Sequence, residues 1–129
     1  MTPRLGIEPF ASEDSAPGWT VRWRLTNLGA RPLRVLRAVQ PHAQFRSDEL
    51  TLARELAPGE STEVALPVRF AESPGSVVEN PFLILRVSEG HTEWRVLARV
   101  RVRARARGEP AADGPVIVTT QPVGAADTG

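Results

Sequence analysis

The chain has 129 residues, and its 16 basic and 15 acidic residues leave a formal net charge of +1, which predicts no bulk attraction to nucleic acid or to a membrane surface. It has no cysteine, which excludes disulfides and thiolate metal sites, and no stretch approaches the ~20 apolar residues of a membrane span. The first residues lack an apolar segment of signal-peptide length, so the sequence predicts a cytoplasmic protein or a piece cut from a larger one. All 16 basic residues are arginine, a bias typical of a GC-rich coding genome.

The elements predicted for the first part of the chain are short strands separated by turns with proline or glycine. A strand is expected near residues 5–10. Residues 19–26 alternate in polarity, which predicts a second strand. Its inward side chains would be Trp19, Val21, Trp23 and Leu25. The turn after it contains Asn27 and Gly29, residue types that tolerate a positive φ, and a strand over 33–39 follows.

The middle of the chain continues this pattern. Residues 45–56 are expected to hold one or two short strands, with a helix as the minority alternative because of their charged residues. Their shared apolar face would comprise Leu50, Leu52 and Leu56. A type II turn is predicted with Pro58 and Gly59 at its centre. The next strand covers 62–70, with inward Val64, Leu66, Val68 and Phe70. Pro67 lies on the opposite face and has no N–H for a ladder, which indicates an edge strand or a bulge.

The last part of the core carries the two most distinctive strands. Residues 80–87 are nearly continuously apolar, which is typical of a central strand covered on both faces or of a strand at an interface. After a hairpin, residues 94–107 place arginine at almost every second position, which predicts one long strand. Its arginine face would comprise Arg95, Arg99, Arg101, Arg103, Arg105 and Arg107. Its inward face would comprise Trp94, Val96, Ala98, Val100, Val102, Ala104 and Ala106.

About seven short strands at roughly ten-residue spacing predict an all-β fold, an antiparallel sandwich. We expect the sandwich to span residues 1–107. Residues 108–129 are rich in Ala, Gly, Pro and Asp, which predicts a flexible tail. Within that tail residues 116–120 have strong strand propensity, so they could dock as an extra strand, in this chain or on another one.

A family resemblance follows from the turns. Thr26-Asn27-Leu28-Gly29, the following Pro32-Leu33-Arg34-Val35, and Leu56-Ala57-Pro58-Gly59-Glu60-Ser61 together resemble bacterial immunoglobulin-like modules of the CARDB and NEW3 type, and the related fibronectin-type and PapD-like sandwiches. In those families the Asn-x-Gly turn joins two early strands, and the Pro-Gly-Glu/Asp turn precedes a mid-domain strand. The resemblance covers about residues 19–107. It implies an immunoglobulin-like sandwich of seven to eight strands and a non-catalytic spacer, adhesion or assembly role.

The arginine face supports two interpretations. Six guanidinium groups on one side of a strand could bind phosphates or the acidic surface of a protein partner. Alternatively, they form a solvated outer face that pairs across strands with Glu79, Glu89 and Glu93. Nucleic acid is disfavoured because strips that bind it usually add stacking aromatics, whereas the chain has no tyrosine and its tryptophans are expected in the core.

The sequence offers no catalytic, cofactor or metal site. His42 and His91 are isolated from each other and from further ligands. Asp48 and Glu49 are adjacent, so on a strand they face apart and make a poor acid–base pair. The chain has neither a nucleophile elbow nor a glycine-rich phosphate loop. We therefore expect a protein that is not an enzyme, with no cofactor and no bound metal.

The function predicted from the sequence is a non-enzymatic protein–protein interaction or assembly module, a structural subunit of a larger bacterial complex. The contacts would come from strand edges, from the apolar strand at 80–87 and from the arginine face. Self-association through paired edges would make it a homo-oligomer. The alternative is anion or nucleic-acid binding through the arginine face.

Overall fold

The computed structural model describes residues 2–15 and 18–123. Within these ranges the chain forms eleven strands and no helix. The strands are β1 (Leu5–Ser15), β2 (Gly18–Asn27), β3 (Leu33–His42), β4 (Phe45–Leu56), β5 (Ser61–Val68), β6 (Val77–Val78), β7 (Phe82–Glu89), β8 (Thr92–Arg99), β9 (Val102–Ala104), β10 (Pro110–Ala112) and β11 (Ile117–Pro122). The predicted all-β fold is confirmed, although the strands outnumber the seven to eight expected.

The strands form three antiparallel sheets around one core. Their orders are β1-β2-β5, β11-β8-β7-β3-β4 and β10-β9-β6. The sheet β1-β2-β5 contacts each of the other two sheets. On one side the main chains of Arg46 in β4 and Arg69 after β5 form a bridge. On the other side of the first sheet, the hydroxyl of Ser12 in β1 donates to the carbonyl oxygen of Pro110 in β10 at 2.6 Å.

Alternating side chains build the core from both layers. All the side chains predicted to point inward from β5 are buried, and so are Val21, Trp23 and Leu25 of β2. Trp19 and Trp94 are only half-buried and pack against the core edge. Phe10 stacks at 5.1 Å from Trp23 and at 5.2 Å from Phe45, measured between ring centroids. Trp23 and Phe45 are the two largest side chains that are fully buried.

A series of hydrogen bonds between buried polar groups crosses this core. The Trp23 Nε1 donates to the Gln40 Oε1 at 2.7 Å, and both groups are buried. The main-chain N–H of Gln40 in turn donates to the Ser47 hydroxyl at 3.0 Å. Three strands, β2, β3 and β4, are thereby connected across the two layers. A buried indole N–H usually needs a partner of this kind.

The two turns that carry the family resemblance contact each other. The turn at 57–60 has Gly59 at a φ of 81°, and the Glu60 N–H donates to the Ala57 carbonyl at 2.9 Å, so the predicted type II turn is confirmed. The Gly59 N–H donates to the Asn27 carbonyl at 2.7 Å, and the Asn27 N–H donates to the Glu60 carbonyl at 3.0 Å. The two motifs are therefore halves of one hydrogen-bonded corner.

Asn27 fixes this corner with its side chain. Its Oδ1 accepts from the Gly29 N–H at 3.0 Å, and its Nδ2 donates to the Arg31 carbonyl at 2.8 Å and to the Leu56 carbonyl at 3.0 Å. Neither Asn27 nor Gly29 uses the positive φ that its residue type tolerates. The reason is that the amide holds the turn through its own hydrogen bonds, so no left-handed residue is required.

Strand β4 runs over twelve residues as a single element with two bulges. Its register against β3 shifts between Val35 and Arg37 and again between Ala38 and Gln40. Each bulge changes the phase of the alternation. As a result the predicted shared face is wrong, because Leu56 is buried and Leu52 is half-buried but Leu50 is 36% exposed.

The bulge at the second half of β4 places Ala53 at a φ of 49°. An L-residue in this left-handed region carries a steric cost of about 1–2 kcal/mol, which glycine lacks. Glycine also raises the entropy of the unfolded chain, which offsets part of the gain. We expect Ala53→Gly to raise the free energy of unfolding in urea by about 0.5–1 kcal/mol. Ala65→Gly, in the extended strand β5, is the control and should lower it; equal losses for both variants would refute the argument.

The predicted arginine strand is two strands in two different sheets. β8 belongs to the five-stranded sheet, whereas β9 pairs with β6 and β10. After β9 the chain turns, because the Gly108 N–H donates to the Arg105 carbonyl at 2.9 Å. The prediction of one long strand is therefore wrong, yet Val100 and Val102 stay buried across the break. The alternation of burial continues as far as Ala104 because the chain keeps the same side toward the core, but Ala106, which was predicted to point inward, is exposed in the turn after β9.

The segment predicted as a flexible tail contributes two strands. β10 pairs with β9, and β11 pairs along its length with β8, from Ile117 opposite Arg99 to Pro122 opposite Trp94. Main-chain hydrogen bonds between strands do not require a large apolar side chain at each position. The amino-acid composition of the segment therefore underestimates how much of it forms strands. Residues 124–129 lie outside the described part of the chain.

Candidate functional site

The outer face of the five-stranded sheet, meaning the side away from the core, carries a row of apolar side chains. Val39 of β3 lies opposite Ile84 of β7, and Ile84 lies opposite Leu97 of β8. All three are half-buried. Thr119 of β11 continues the row beyond Leu97. We call Val39, Ile84 and Leu97 the apolar row. Within the described residues no second layer covers it, so β7 is a central strand that packs fully against the core on one face only.

A row of arginines runs beside the apolar row. Arg37, Arg86 and Arg95 lie opposite one another on the neighbouring strands β3, β7 and β8, and we call them the arginine row. Directly opposed like charges destabilise a sheet. Two of the three are compensated, Arg86 by Glu93 at 2.7 Å and Arg37 by Glu49 at 3.8 Å. Arg95 has no ion pair among the described residues.

Arg99 borders the apolar row on its other side. It lies opposite Phe82 on one neighbouring strand and opposite Ile117 on the other. Ile117 is 51% exposed. A shallow depression of about 310 Å³ opens here, and its lining includes Phe82, Leu97, Arg99 and Ile117. Like Arg95, Arg99 has no ion pair in the part of the chain that the structure describes.

The remaining arginines of the predicted strip lie elsewhere, and most are compensated within the chain. All six predicted site residues are exposed, but Arg101 lies between β8 and β9, Arg103 lies in β9, and Arg105 and Arg107 lie at the following turn. The ion pairs are Arg101–Glu79 at 3.1 Å, Arg103–Asp113 at 3.1 Å, Arg107–Asp14 at 3.3 Å and Arg107–Glu109 at 3.6 Å. Only Arg95 and Arg99 therefore share the outer face.

The turn after β9 also organises Glu109. The carboxylate of Glu109 accepts from main-chain N–H groups, chiefly its own and then that of Arg107, which donates at 2.9 Å. These hydrogen bonds favour the charged form and hold the pKa of Glu109 below its usual value. The nearby Arg107 guanidinium acts in the same direction. The Glu109 carboxylate therefore stabilises the turn through hydrogen bonds within its own chain.

The two histidines considered for metal binding lie at separate turns. The Nδ1 of His42 accepts from the Gln44 N–H at 3.1 Å in the turn between β3 and β4. His91 lies exposed in the turn between β7 and β8. Across residues 2–15 and 18–123, no three His, Asp or Glu side chains are grouped to hold a metal ion. The same ranges contain no helix that could cross a membrane.

Sequence reasoning found Arg95 and Arg99 but missed the arginine row and the apolar row. Both rows run across strands, so they depend on the register between β3, β7 and β8. Alternation within one strand gives no information on that register. The signal in the sequence is that two outward positions of β7, Phe82 and Ile84, are apolar, as is Leu97 of β8.

No protein-family model matches the chain, and a comparison with curated proteins finds no relative. The outer face of the five-stranded sheet is therefore the feature that indicates a function. Its features are an apolar row, an arginine row beside it and Arg99 on the opposite side.

Proposed function

We propose that this protein is a non-enzymatic protein interaction or assembly module, a structural subunit of a larger bacterial complex, which binds its partner on the outer face of the five-stranded sheet. The observation that carries the proposal is the apolar row with Arg95 and Arg99, neither of them ion-paired within the described residues, on its two sides. An apolar centre with a charged rim is the usual anatomy of a protein interface.

The charged side chains of the outer face indicate the chemistry of the partner's surface. A carboxylate placed next to Arg95 would relieve its repulsion with Arg86, which lies directly opposite. A guanidinium can bind a carboxylate with two parallel hydrogen bonds, and a hydrogen bond to a charged group contributes about 1.5–3 kcal/mol. Apolar side chains of the partner would cover Ile84 and Leu97. The expected partner surface is therefore apolar with acidic residues on both sides.

The order of the strands supports an immunoglobulin-like module. In that fold a sheet of strands A, B and E opposes a sheet of C, F and G. Here β1-β2-β5 opposes β3-β7-β8, with β4 added beside β3. The resemblance of the two turns at Asn27 and Gly59 supports the same assignment, and modules of that kind commonly serve in adhesion or assembly.

The alternative, anion or nucleic-acid binding through the arginine face, has less support. Its arginines are divided between two sheets. Arg101, Arg103 and Arg107 are also engaged by carboxylates of the same chain, which a polyanion would have to displace. The two arginines left on the outer face, Arg95 and Arg99, flank apolar side chains instead of stacking aromatics.

The proposal is tested by comparing two charge reversals. We expect Arg95→Glu to weaken binding of the partner by about tenfold or more, because a carboxylate then faces the partner's acidic rim. Arg105→Glu is the matched control, since Arg105 is also exposed and has no ion pair in the described residues but lies away from the outer face, in the turn after β9. The measurement is recovery of a stoichiometric protein from an extract of the producing cells, followed by calorimetry with that protein purified.

Three results would contradict the proposal. The first is that the wild-type chain recovers no stoichiometric partner. The second is that Arg95→Glu and Arg105→Glu weaken binding equally, which would place the contact away from the outer face. The third is steep salt-dependent retention on heparin that is lost when Arg101, Arg103 and Arg105 become glutamine, which would favour anion binding.

A further inference from the structure

Strand β11 forms an edge of the five-stranded sheet. At the opposite edge of the five-stranded sheet, β4 has local contacts with the neighbouring sheet, since the main chains of Arg46 and Arg69 form a bridge and the Arg54 Nη1 donates to the Glu63 carbonyl at 3.0 Å. Nothing in the described ranges pairs with the outer side of β11, which is the last strand in its sheet. Such an edge presents unpaired main-chain N–H and C=O groups that can pair with another chain.

The register shows which groups face outward. The Val123 N–H donates to the Glu93 carbonyl at 2.9 Å, which continues the pairing of Pro122 with Trp94. In an antiparallel ladder only alternate residues exchange bonds with a given neighbour. Thr119 therefore bonds to β8, whereas Val118 and Thr120 direct their N–H and C=O groups away from it. Pro122 also falls on the outward set, where its missing N–H costs the sheet nothing.

The edge lacks the charges that normally protect such strands. Residues 114–123 contain no charged side chain, whereas exposed edges are usually guarded by lysine or another charge. The side chains of Ile117 and Val118 are 51% and 38% exposed, on opposite faces of the strand. This segment of Val, Ile and Thr combines high β propensity with neutrality, which favours pairing with a like strand.

We propose that β11 pairs antiparallel with β11 of a second copy of this chain, so that the two five-stranded sheets become continuous. This goes beyond the proposed function, because it uses the edge of the sheet and needs no other protein. The two-fold axis passes at Thr119, so Val118 of each copy pairs with Thr120 of the other. This register uses the outward N–H and C=O groups of both residues and leaves Pro122 outside these two pairs.

The positions of the charged side chains on the outer face are compatible with this dimer. In the proposed register Gln121 lies opposite Ile117 of the second copy. Arg95 of one copy and Arg99 of the other are then three strand spacings apart, about 14 Å. This exceeds the Debye length of about 8 Å at physiological salt, so their repulsion is screened. Leu97 and Thr119 of both copies fall in one line, and the apolar row is continued across the axis.

The test introduces a charged side chain at Thr119, the residue on the proposed two-fold axis. We expect the wild-type chain to form a dimer as its concentration rises in sedimentation experiments. Thr119→Lys and Thr119→Glu should each weaken self-association by about tenfold or more, because like charges then face each other directly. An equimolar mixture of the two variants should restore a dimer that contains one of each. The same exchanges at Thr51, an exposed residue of β4, are the controls and should leave the dimer unchanged.

Several outcomes would overturn the inference. They are a wild-type chain that remains monomeric at all concentrations, a Thr119→Lys variant that dimerises like the wild type, and a mixture of the variants that stays monomeric. Circular dichroism confirms that each variant is folded. The proposed function is tested separately, because Arg95→Glu should reduce binding of the acidic partner and leave self-association intact.

Discussion

Replacing Trp23 with alanine is expected to lower the free energy of unfolding by about 3–5 kcal/mol, as measured by urea denaturation. Trp23 is 0% exposed and packs against Phe10 at the centre of the sandwich. Alanine would leave a large cavity between the layers and would also leave the Gln40 Oε1 without its donor. Since domains of this size are stable by about 5–15 kcal/mol, much of the margin would be lost.

Two matched variants separate the causes of this loss. Trp23→Phe retains much of the ring packing but removes the N–H, so it should cost about 1–3 kcal/mol. Trp19→Ala removes the same side chain from a half-buried position on the same strand, and it should cost clearly less than Trp23→Ala. Equal losses at Trp19 and Trp23 would show that burial in the core is not the source of the effect.

Asn27→Ala is expected to lower the free energy of unfolding by about 2–4 kcal/mol. The substitution removes three hydrogen bonds of the side chain and leaves the buried Leu56 carbonyl without the amide that now donates to it. It also loosens the corner in which the turn around Gly59 is held against β2. Thermal or urea unfolding of the purified chain measures the loss.

Asn27→Asp is the informative companion, because it has nearly the same shape. Its carboxylate still accepts from the Gly29 N–H but cannot donate to the Arg31 and Leu56 carbonyls. We expect it to be at least as destabilising as alanine at neutral pH, since a buried charge would face two carbonyl oxygens. A loss below about 1 kcal/mol for Asn27→Ala would mean that water replaces the amide at little cost.

The alternation of polarity predicted most of the core, for a physical reason. Both layers face a single core, so period-2 burial holds in β2 and β5 and even across the break between β8 and β9. The turn at Gly59 was also predictable, because a type II turn demands a residue that accepts a positive φ. Information of this kind lies within a few consecutive residues.

The features that sequence could not supply depend on which strands become neighbours. The two bulges of β4 exist only relative to β3, and they moved Leu50 out of the predicted face. The change of sheet after Arg99 depends on the presence of β6 and β10 as partners for β9. The juxtaposition of Arg37 with Arg86 requires the register of distant strands. Each of these is a long-range relation that a single strand does not encode.

The passage of one chain from β8 to β9 also has a mechanical consequence. The two strands are separated by only two residues, Val100 and Arg101, and belong to different sheets. Separating the sheets would therefore have to pull Val100 and Val102 out of the core at once. We therefore expect the two sheets to unfold as one cooperative unit, whereas β11, which among the described strands pairs only with β8, is expected to detach without them.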